Sequence, residues 1–183
     1  REKIESGTPG VFTCGSPQLL GHYYEPMKGQ RIEGLGIFDF YSIHPGMAAS
    51  RCIGNLVYEI TAQPLADGLI ANGDLKIVIG FENHGGRTYL SSAEPLGHVI
   101  SGFGNNGEDK TEGAFFHNAL ATYSHGPLLP KNPFLADWLI RQALAEKYRT
   151  TVSLATLAPH ASLDSLAHDA RRTMFKRLRV QSD

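Results

Sequence analysis

The stretch Val11-Phe12-Thr13-Cys14-Gly15-Ser16-Pro17-Gln18-Leu19-Leu20-Gly21 limits the folds open to this chain more than any other. An apolar, β-prone run stops at a cysteine, small and turn-forming residues follow, and a helical Gln-Leu-Leu comes next. That order reads as a strand, a sharp turn and a helix, with the side chain at the turn lifted clear of the sheet. A cysteine there stands at a helix N-terminus, where unpaired N–H groups and the positive end of the helix dipole favour thiolate over thiol. The N–H of Gly15 would then point where an oxyanion forms. The same cysteine also reads as a small buried core thiol, since free cysteine packs well in apolar surroundings. Both readings are open on these residues alone.

The 183 residues suffice for one domain with a real core. A formal net charge of −1 gives no electrostatic reason to expect a nucleic-acid partner. No apolar run approaches the length of a membrane span, and no signal peptide is present, although the first residue is Arg1. Cys14 and Cys52 are too few for a disulfide framework, so a reducing, cytoplasmic compartment is the default.

Pro17 fits the first turn of a helix that should run to about Glu25, before Pro26. Arg31 to Ile43 reads as a short irregular strand, and Arg51 to Thr61 alternates as a strand should. Gln63 to Gly73 reads as a turn-rich connection, and Leu75 to Phe81 as a central strand. Glu82-Asn83-His84-Gly85-Gly86-Arg87 then interrupts it with polar groups, at the kind of strand end where α/β folds place sites; a plain surface hairpin is the other reading. Leu96 to Phe103 and Gly113 to Tyr123 have strand character. The loop from Gly102 to Lys110 lacks the Walker ending and is not a phosphate loop. Asn132-Pro133 opens a helix to about Tyr148, with Asn132 expected to cap it. Thr150 to Ala161 shows no clear pattern. Leu163 to Leu178 is amphipathic, with Arg171, Arg172, Lys176, Arg177 and Arg179 read as a basic, solvated face or as a docking face for an acidic partner. Interleaved strands and helices point to an α/β fold.

A cysteine nucleophile needs a base, and of eight histidines His125 stands out. It ends a predicted strand and is exposed by Gly126-Pro127; alone it would read as incidental, but beside an elbow cysteine it reads as the base. Cys52 begins a strand, has no partner motif, and reads as a structural core thiol. The histidines lack ligand spacing, so no metal site is expected.

Several motifs together resemble the CobB/CobQ-like class I glutamine amidotransferases. They are Gly80-Phe81-Glu82-Asn83-His84-Gly85-Gly86-Arg87-Thr88-Tyr89-Leu90, Pro95-Leu96-Gly97, Gly102-Phe103-Gly104-Asn105-Asn106-Gly107, and the run Thr122-Tyr123-Ser124-His125-Gly126-Pro127 continued to Pro133. The similarity spans roughly Val11 to Tyr148, and within the family it is nearest the GatD-type glutaminase subunits of lipid II isoglutaminyl synthase. The resemblance implies a three-layer sandwich around a central, mostly parallel sheet with a cysteine elbow. It implies a glutaminase domain over residues 1–149, followed by an extension over 150–183 with a basic amphipathic helix. It also implies a division of labour. This subunit releases ammonia from L-glutamine and needs no cofactor. A partner resembling a MurT-type Mur ligase uses ATP and magnesium to activate D-glutamate in the stem peptide of lipid II, forming a heterodimer with it. Lipid II would be met only indirectly, in the cytoplasm or peripherally at the inner membrane face.

Carried onto this sequence, the resemblance makes Cys14 the nucleophile, His125 the base and Gly15 N–H an oxyanion donor. Gln18 matches a glutamine that shapes the substrate pocket. Arg51 matches an arginine suited to the α-carboxylate of glutamine, with a surface salt bridge as its other reading. Glu82, Asn83 and His84 would form a hydrogen-bonded support. Four differences stand against the family pattern. Pro127 occupies the place of the usual glutamate, so either a dyad suffices or a carboxylate comes from elsewhere, including the partner chain. Phe12 and Ser16 replace elbow glycines. Ser16-Pro17 replaces a Gly-aromatic pair. Only thirteen residues precede Cys14, so strands expected beside the elbow strand, and the loop bearing the second oxyanion donor, are absent from this sequence. The alternatives are the same chemistry on another acceptor, such as a corrinoid in a cobyric acid synthase, or a catalytically silent scaffold.

Overall fold

A computed structural model describes residues 1–71, 76–150 and 161–180. In chain order, the elements are α1 (Glu2–Glu5), β1 (Gly10–Thr13), α2 (Gly15–Leu20), β2 (Tyr23–Glu25), β3 (Ile32–Glu33), β4 (Phe40–Ile43), β5 (Cys52–Ile60) and α3 (Gln63–Ala71). There follow β6 (Ile77–His84), β7 (Arg87–Leu90), β8 (Gly97–Ser101), β9 (Thr111–Glu112), β10 (Ala114–Phe116), β11 (Ala119–Thr122), α4 (Leu128–Lys131), α5 (Pro133–Tyr148) and α6 (Ala161–Leu178). The strands form three small sheets, ordered β1-β11-β10, β3-β2-β4-β7 and β6-β5-β8-β9.

The mixed α/β character agrees with the sequence reading, but a mostly parallel sheet is not what the described residues form. Only β1–β11 and β2–β4 pair in parallel; the other strand pairs are antiparallel. Parallel neighbours need a long crossover. Between β2 and β11 the described chain has one helix, α3, and the strand after it returns antiparallel to the strand before.

The β5–β6 pair is where layering is clearest. Leu56, Tyr58 and Val78 share one core with Leu65 and Leu69 of α3 and with Leu135 and Trp138 of α5. Val57 and Ile79, next along the same strands, meet Phe175 of α6 on the opposite face. Period-two alternation thus gives each strand two apolar faces, one for each helical layer. A third cluster, with Phe38, Phe40, Ala119 and Ala121, packs beneath the elbow strand.

Four local expectations are corrected. First, α2 stops at Leu20 instead of reaching Glu25. A Cβ on Gly21 would lie 2.5 Å from the Phe40 ring, so the chain turns there in close contact with β4, and Tyr23 to Glu25 become a strand. Second, Gln63 to Ala71 is helical rather than a turn-rich link: Leu65, Ala66 and Leu69 fall on one buried face at helical spacing. Third, β6 is not interrupted after Phe81 but continues through His84, paired residue by residue with β5 as far as Cys52 opposite His84. Fourth, Gly113 to Tyr123 is a hairpin of two strands, turning at His117, where φ is 55°. The patternless stretch from Thr150 to Ala161 falls almost wholly outside the described residues.

Asn132, expected as a helix cap, and Arg171, expected on a solvated or docking face, are both buried pins. Asn132 precedes α5 but its side chain does not cap it. Its Oδ1 accepts the Ile79 N–H (2.9 Å), and its Nδ2 donates to the Ile79 carbonyl (2.8 Å) and the Leu128 carbonyl (2.7 Å). Arg171 belongs to the packed face of α6, not to its basic outer face. It donates to Asn132 Oδ1 (2.5 Å), the Ile77 carbonyl (2.6 Å) and the Lys131 carbonyl (3.2 Å). Its guanidinium lies 5.2 Å from the Phe134 ring centre and 5.4 Å from that of Phe175, and burial lowers its pKa to about 10. No helix among the described residues is long and apolar enough to cross a membrane.

Candidate active site

The elbow exists as a strained turn. Cys14 follows β1 and precedes α2 with φ 60° and ψ −106°, a positive φ that costs a non-glycine residue on the order of 1–3 kcal/mol. Such strain persists only where the surroundings fix it. Here the Cys14 N–H donates to the Thr122 carbonyl (3.1 Å), continuing the parallel ladder in which Thr13 is opposite Thr122. Cys14 is half-buried, and Gly15 is exposed with open space on its Cβ side. Pro17 is buried in the first turn of α2. Cys52, by contrast, is buried, and burial pushes its thiol pKa up.

His125 follows β11 by three residues, on the same strand end as the Cys14 ladder contact. Its N–H donates to the Phe81 carbonyl (2.7 Å), bridging it to β6. Its Nδ1 is buried without a hydrogen-bond partner among the described residues. The ladder therefore brings Cys14 and His125 to one end of neighbouring strands.

Glu82 and His84 lie in the interior behind this end. Glu82 Oε1 accepts the Phe103 N–H (2.7 Å), and Oε2 accepts the Gly104 N–H (3.0 Å) and lies 3.3 Å from His84 Nε2. His84 Nδ1 donates to the Gly86 carbonyl (2.8 Å). Asn83 points the other way along the strand. Its side chain and carbonyl accept three hydrogen bonds from Arg51, at 2.9 to 3.2 Å. The three supporting residues thus split between two faces: Glu82 and His84 in the interior, Asn83 with the exposed Arg51.

Gln18 does not stand free in a pocket. Its Nε2 donates to the Tyr123 hydroxyl (3.1 Å), which shares a hydrogen bond with Thr88 Oγ1 (2.8 Å), itself bonded to Ser42 Oγ (2.7 Å). Tyr123 also stacks on the His84 ring, centroids 3.7 Å apart. These hydrogen bonds join the elbow helix to Tyr123, just past the end of β11, and on to β7 and β4. The sequence reading missed Tyr123, Thr88 and Ser42 in this role; Tyr123, two residues before His125, was the one with a positional signal.

It also missed Glu112. This carboxyl is fully buried in β9 and accepts the Thr122 hydroxyl (2.6 Å) and the Tyr123 N–H (2.9 Å), while Thr122 Oγ1 accepts the Ser124 N–H (2.9 Å). Burial raises its pKa from the ordinary 4.5 to about 7. The folded state therefore holds this proton more tightly than the unfolded chain, so the contribution is full below about 4.5 and is lost as pH rises through about 7. The expected outcome is a urea midpoint that falls across that window in the unmodified protein and falls less in Glu112→Gln.

A family model for the CobB/CobQ-like glutamine amidotransferase domain matches residues 1–133. The chain is 43% identical over 147 residues to the Staphylococcus aureus protein named lipid II isoglutaminyl synthase (glutamine-hydrolyzing) subunit GatD, covering 80% of this chain and 54% of that protein. It is 41% identical over 143 residues to the Streptococcus pneumoniae protein of the same name, covering 77% of this chain and 50% of that one. A probable cobyric acid synthase of Methanothermobacter thermautotrophicus is 30% identical over 124 residues, 64% of this chain and 23% of that protein. The chain spans about half the length of the two GatD subunits it matches. The family match covers most of the sequence and includes both ends of the Cys14–His125 arrangement, and on that ground the chain belongs to the CobB/CobQ-like glutamine amidotransferase domain family.

Proposed function

We propose that this chain is the glutaminase part of an enzyme that hydrolyses L-glutamine and delivers ammonia for amidation of lipid II. The observation that carries the reading is the elbow itself: Cys14 held at positive φ, with its N–H on the strand that leads directly to His125. A strained, half-buried cysteine at a strand–helix junction is what a thiol nucleophile needs and what a core thiol does not.

In this reading the Cys14 thiolate attacks the side-chain amide carbon of glutamine. His125 takes the thiol proton and returns one to the departing ammonia. A γ-glutamyl thioester forms and water hydrolyses it to glutamate. The Gly15 N–H donates to the oxyanion. Arg51, held by Asn83, binds the substrate carboxylate, and Gln18, held by Tyr123, walls the pocket. His125 Nδ1 has no hydrogen-bond partner among the described residues, which fits either a Cys14–His125 dyad or a third member supplied from elsewhere, including the partner chain. The other edge of β1 has no strand against it among the described residues, and the reading places further parallel strands of the sandwich there. The acceptor is D-glutamate of the lipid II stem peptide, activated with ATP and magnesium by a Mur-ligase-like partner. The names and identities of the two GatD relatives favour it over a corrinoid. The complex would work in the cytoplasm, reaching the membrane face through its substrate.

The test is ammonia release from glutamine by the protein with and without the ligase-like partner. Cysteine-dependent release that rises with the partner supports the reading; no release under either condition overturns it. A finer outcome is expected at Gly86. A Cβ there would lie 2.5 Å from Gln18 Nε2. Gly86→Ala should therefore displace Gln18 from Tyr123 and raise KM for glutamine about tenfold, read from initial rates.

A further inference from the structure

Three distant stretches meet at the turn between β6 and β7. His44 follows β4, Arg51 precedes β5, and Gly85 lies in the turn. A Cβ on Gly85 would lie 3.2 Å from Arg51 Nη1 and 3.2 Å from His44 Nε2. Both atoms are donors without an acceptor among the described residues. Arg51 uses Nε and Nη2 on Asn83, leaving Nη1 free. His44 Nδ1 accepts the Gly46 N–H (3.1 Å), so the proton of the neutral ring resides on Nε2. The His44 N–H donates to the Glu25 carbonyl (2.8 Å), which fixes the backbone beneath the ring.

A buried cation holds the frame. Arg87 donates through Nη1 to the Gly85 and Gly86 carbonyls (3.1 and 3.3 Å) and through Nη2 to the Ser50 carbonyl (2.6 Å), one residue before Arg51. The turn and the stretch carrying Arg51 are therefore fastened to the same guanidinium. The next glycine, Gly86, abuts Gln18 of the elbow helix. Two fixed donors thus converge on a spot kept open by the missing side chain at position 85, beside the elbow, with a guanidinium as one of them. That is an arrangement for a carboxylate, one oxygen to each donor.

We propose that His44 Nε2–H and Arg51 Nη1, over the bare Cα of Gly85, bind the α-carboxylate of the glutamine substrate together, with His44 setting the preference for the free amino acid. The inference rests on the proposed glutaminase reading and adds to it a second donor and the reason for glycine at position 85.

The experiment compares L-glutamine with its α-amide, which keeps the reacting side chain and lacks the carboxylate, using the protein in its native assembly. In turnover, His44→Ala and Gly85→Ala should each raise KM for glutamine about tenfold or more, with kcat within about threefold, and should narrow the preference over the α-amide. His44→Gln restores an N–H donor and should recover part of the loss. In parallel, calorimetry on Cys14→Ser reads binding of the same two compounds without turnover. Unchanged KM and unchanged preference in His44→Ala overturn the proposal, as does equal binding of the two compounds by Cys14→Ser. If the unmodified protein releases no ammonia, yet Cys14→Ser binds glutamine over its α-amide and His44→Ala abolishes that preference, the carboxylate site stands and the glutaminase reading falls.

Discussion

Cys14→Ser should lower ammonia release from glutamine by at least about a thousandfold, and His125→Ala by about a hundredfold or more, with unfolding midpoints close to that of the unmodified protein. The size follows from the chemistry. A serine hydroxyl at this turn keeps the geometry but is far less ionised than a thiol, so the step that forms the covalent intermediate slows most. Losing the imidazole removes the proton carrier at both ends of that step. The backbone adds a control. Because Cys14 has φ 60° and ψ −106°, replacing it with glycine removes the steric cost of the turn together with the nucleophile. Cys14→Gly should therefore be inactive and more resistant to urea by about 1 kcal/mol, measured by equilibrium unfolding. A variant that loses activity while gaining stability separates a functional strain from a structural cysteine. A Cys14→Ser protein with intact turnover would remove Cys14 from the reaction.

The largest stability effect is expected at Asn132. Its amide satisfies both backbone groups of Ile79, the Leu128 carbonyl and the Arg171 guanidinium. Asn132→Ala leaves all four without that partner in a buried site. An unsatisfied buried polar group costs about 1–3 kcal/mol, and a charged one more, so the expected loss is about 3–5 kcal/mol by urea unfolding. Arg171→Met should cost less than Asn132→Ala, because it removes a buried charge along with its hydrogen bonds and leaves an apolar chain between Phe134 and Phe175. A loss at Asn132 below about 1 kcal/mol would mean that water takes over these groups and that α4, α5 and α6 are not joined through this residue.

The elbow, the strand Cys52–Ile60 and the two long helices were legible because each depends on local chemistry: a turn residue at a strand end, strict alternation, or a stripe at helical spacing. What escaped was set by partners far away in sequence. Gln63 to Ala71 has ordinary helical spacing of apolar residues, but Pro64 and Gly68 within it read as turn punctuation until α5 is seen packed against it. Glu82 and His84 look like loop residues because polar side chains rarely continue a buried strand. They are tolerated here because the Phe103 and Gly104 N–H groups and the Gly86 carbonyl satisfy them. Arg171 counted toward a basic surface because its acceptors, Asn132 Oδ1 and the carbonyls of Ile77 and Lys131, lie on segments that no helix periodicity can place beside it. The candidate nucleophile and base could be named from sequence, whereas the frame that orients Gln18 and Arg51 could not, since Tyr123 and Asn83 become their partners only through strand register.

The strand Ile77–His84 also sets where this protein can change length. Its backbone at Ile79 is bound to Asn132, its carbonyl at Phe81 to His125, and its side chains alternate between Phe175 on one face and the Glu82–His84 pair on the other. Inserting or deleting one residue there would exchange the two faces from that point on, turning Glu82 toward solvent and Asn83 into the interior. Every feature downstream would be out of phase at once, and no single compensating substitution could restore it. Homologues should therefore vary in length at the surface turns, such as the one around Gly46, and keep the eight residues of this strand free of gaps.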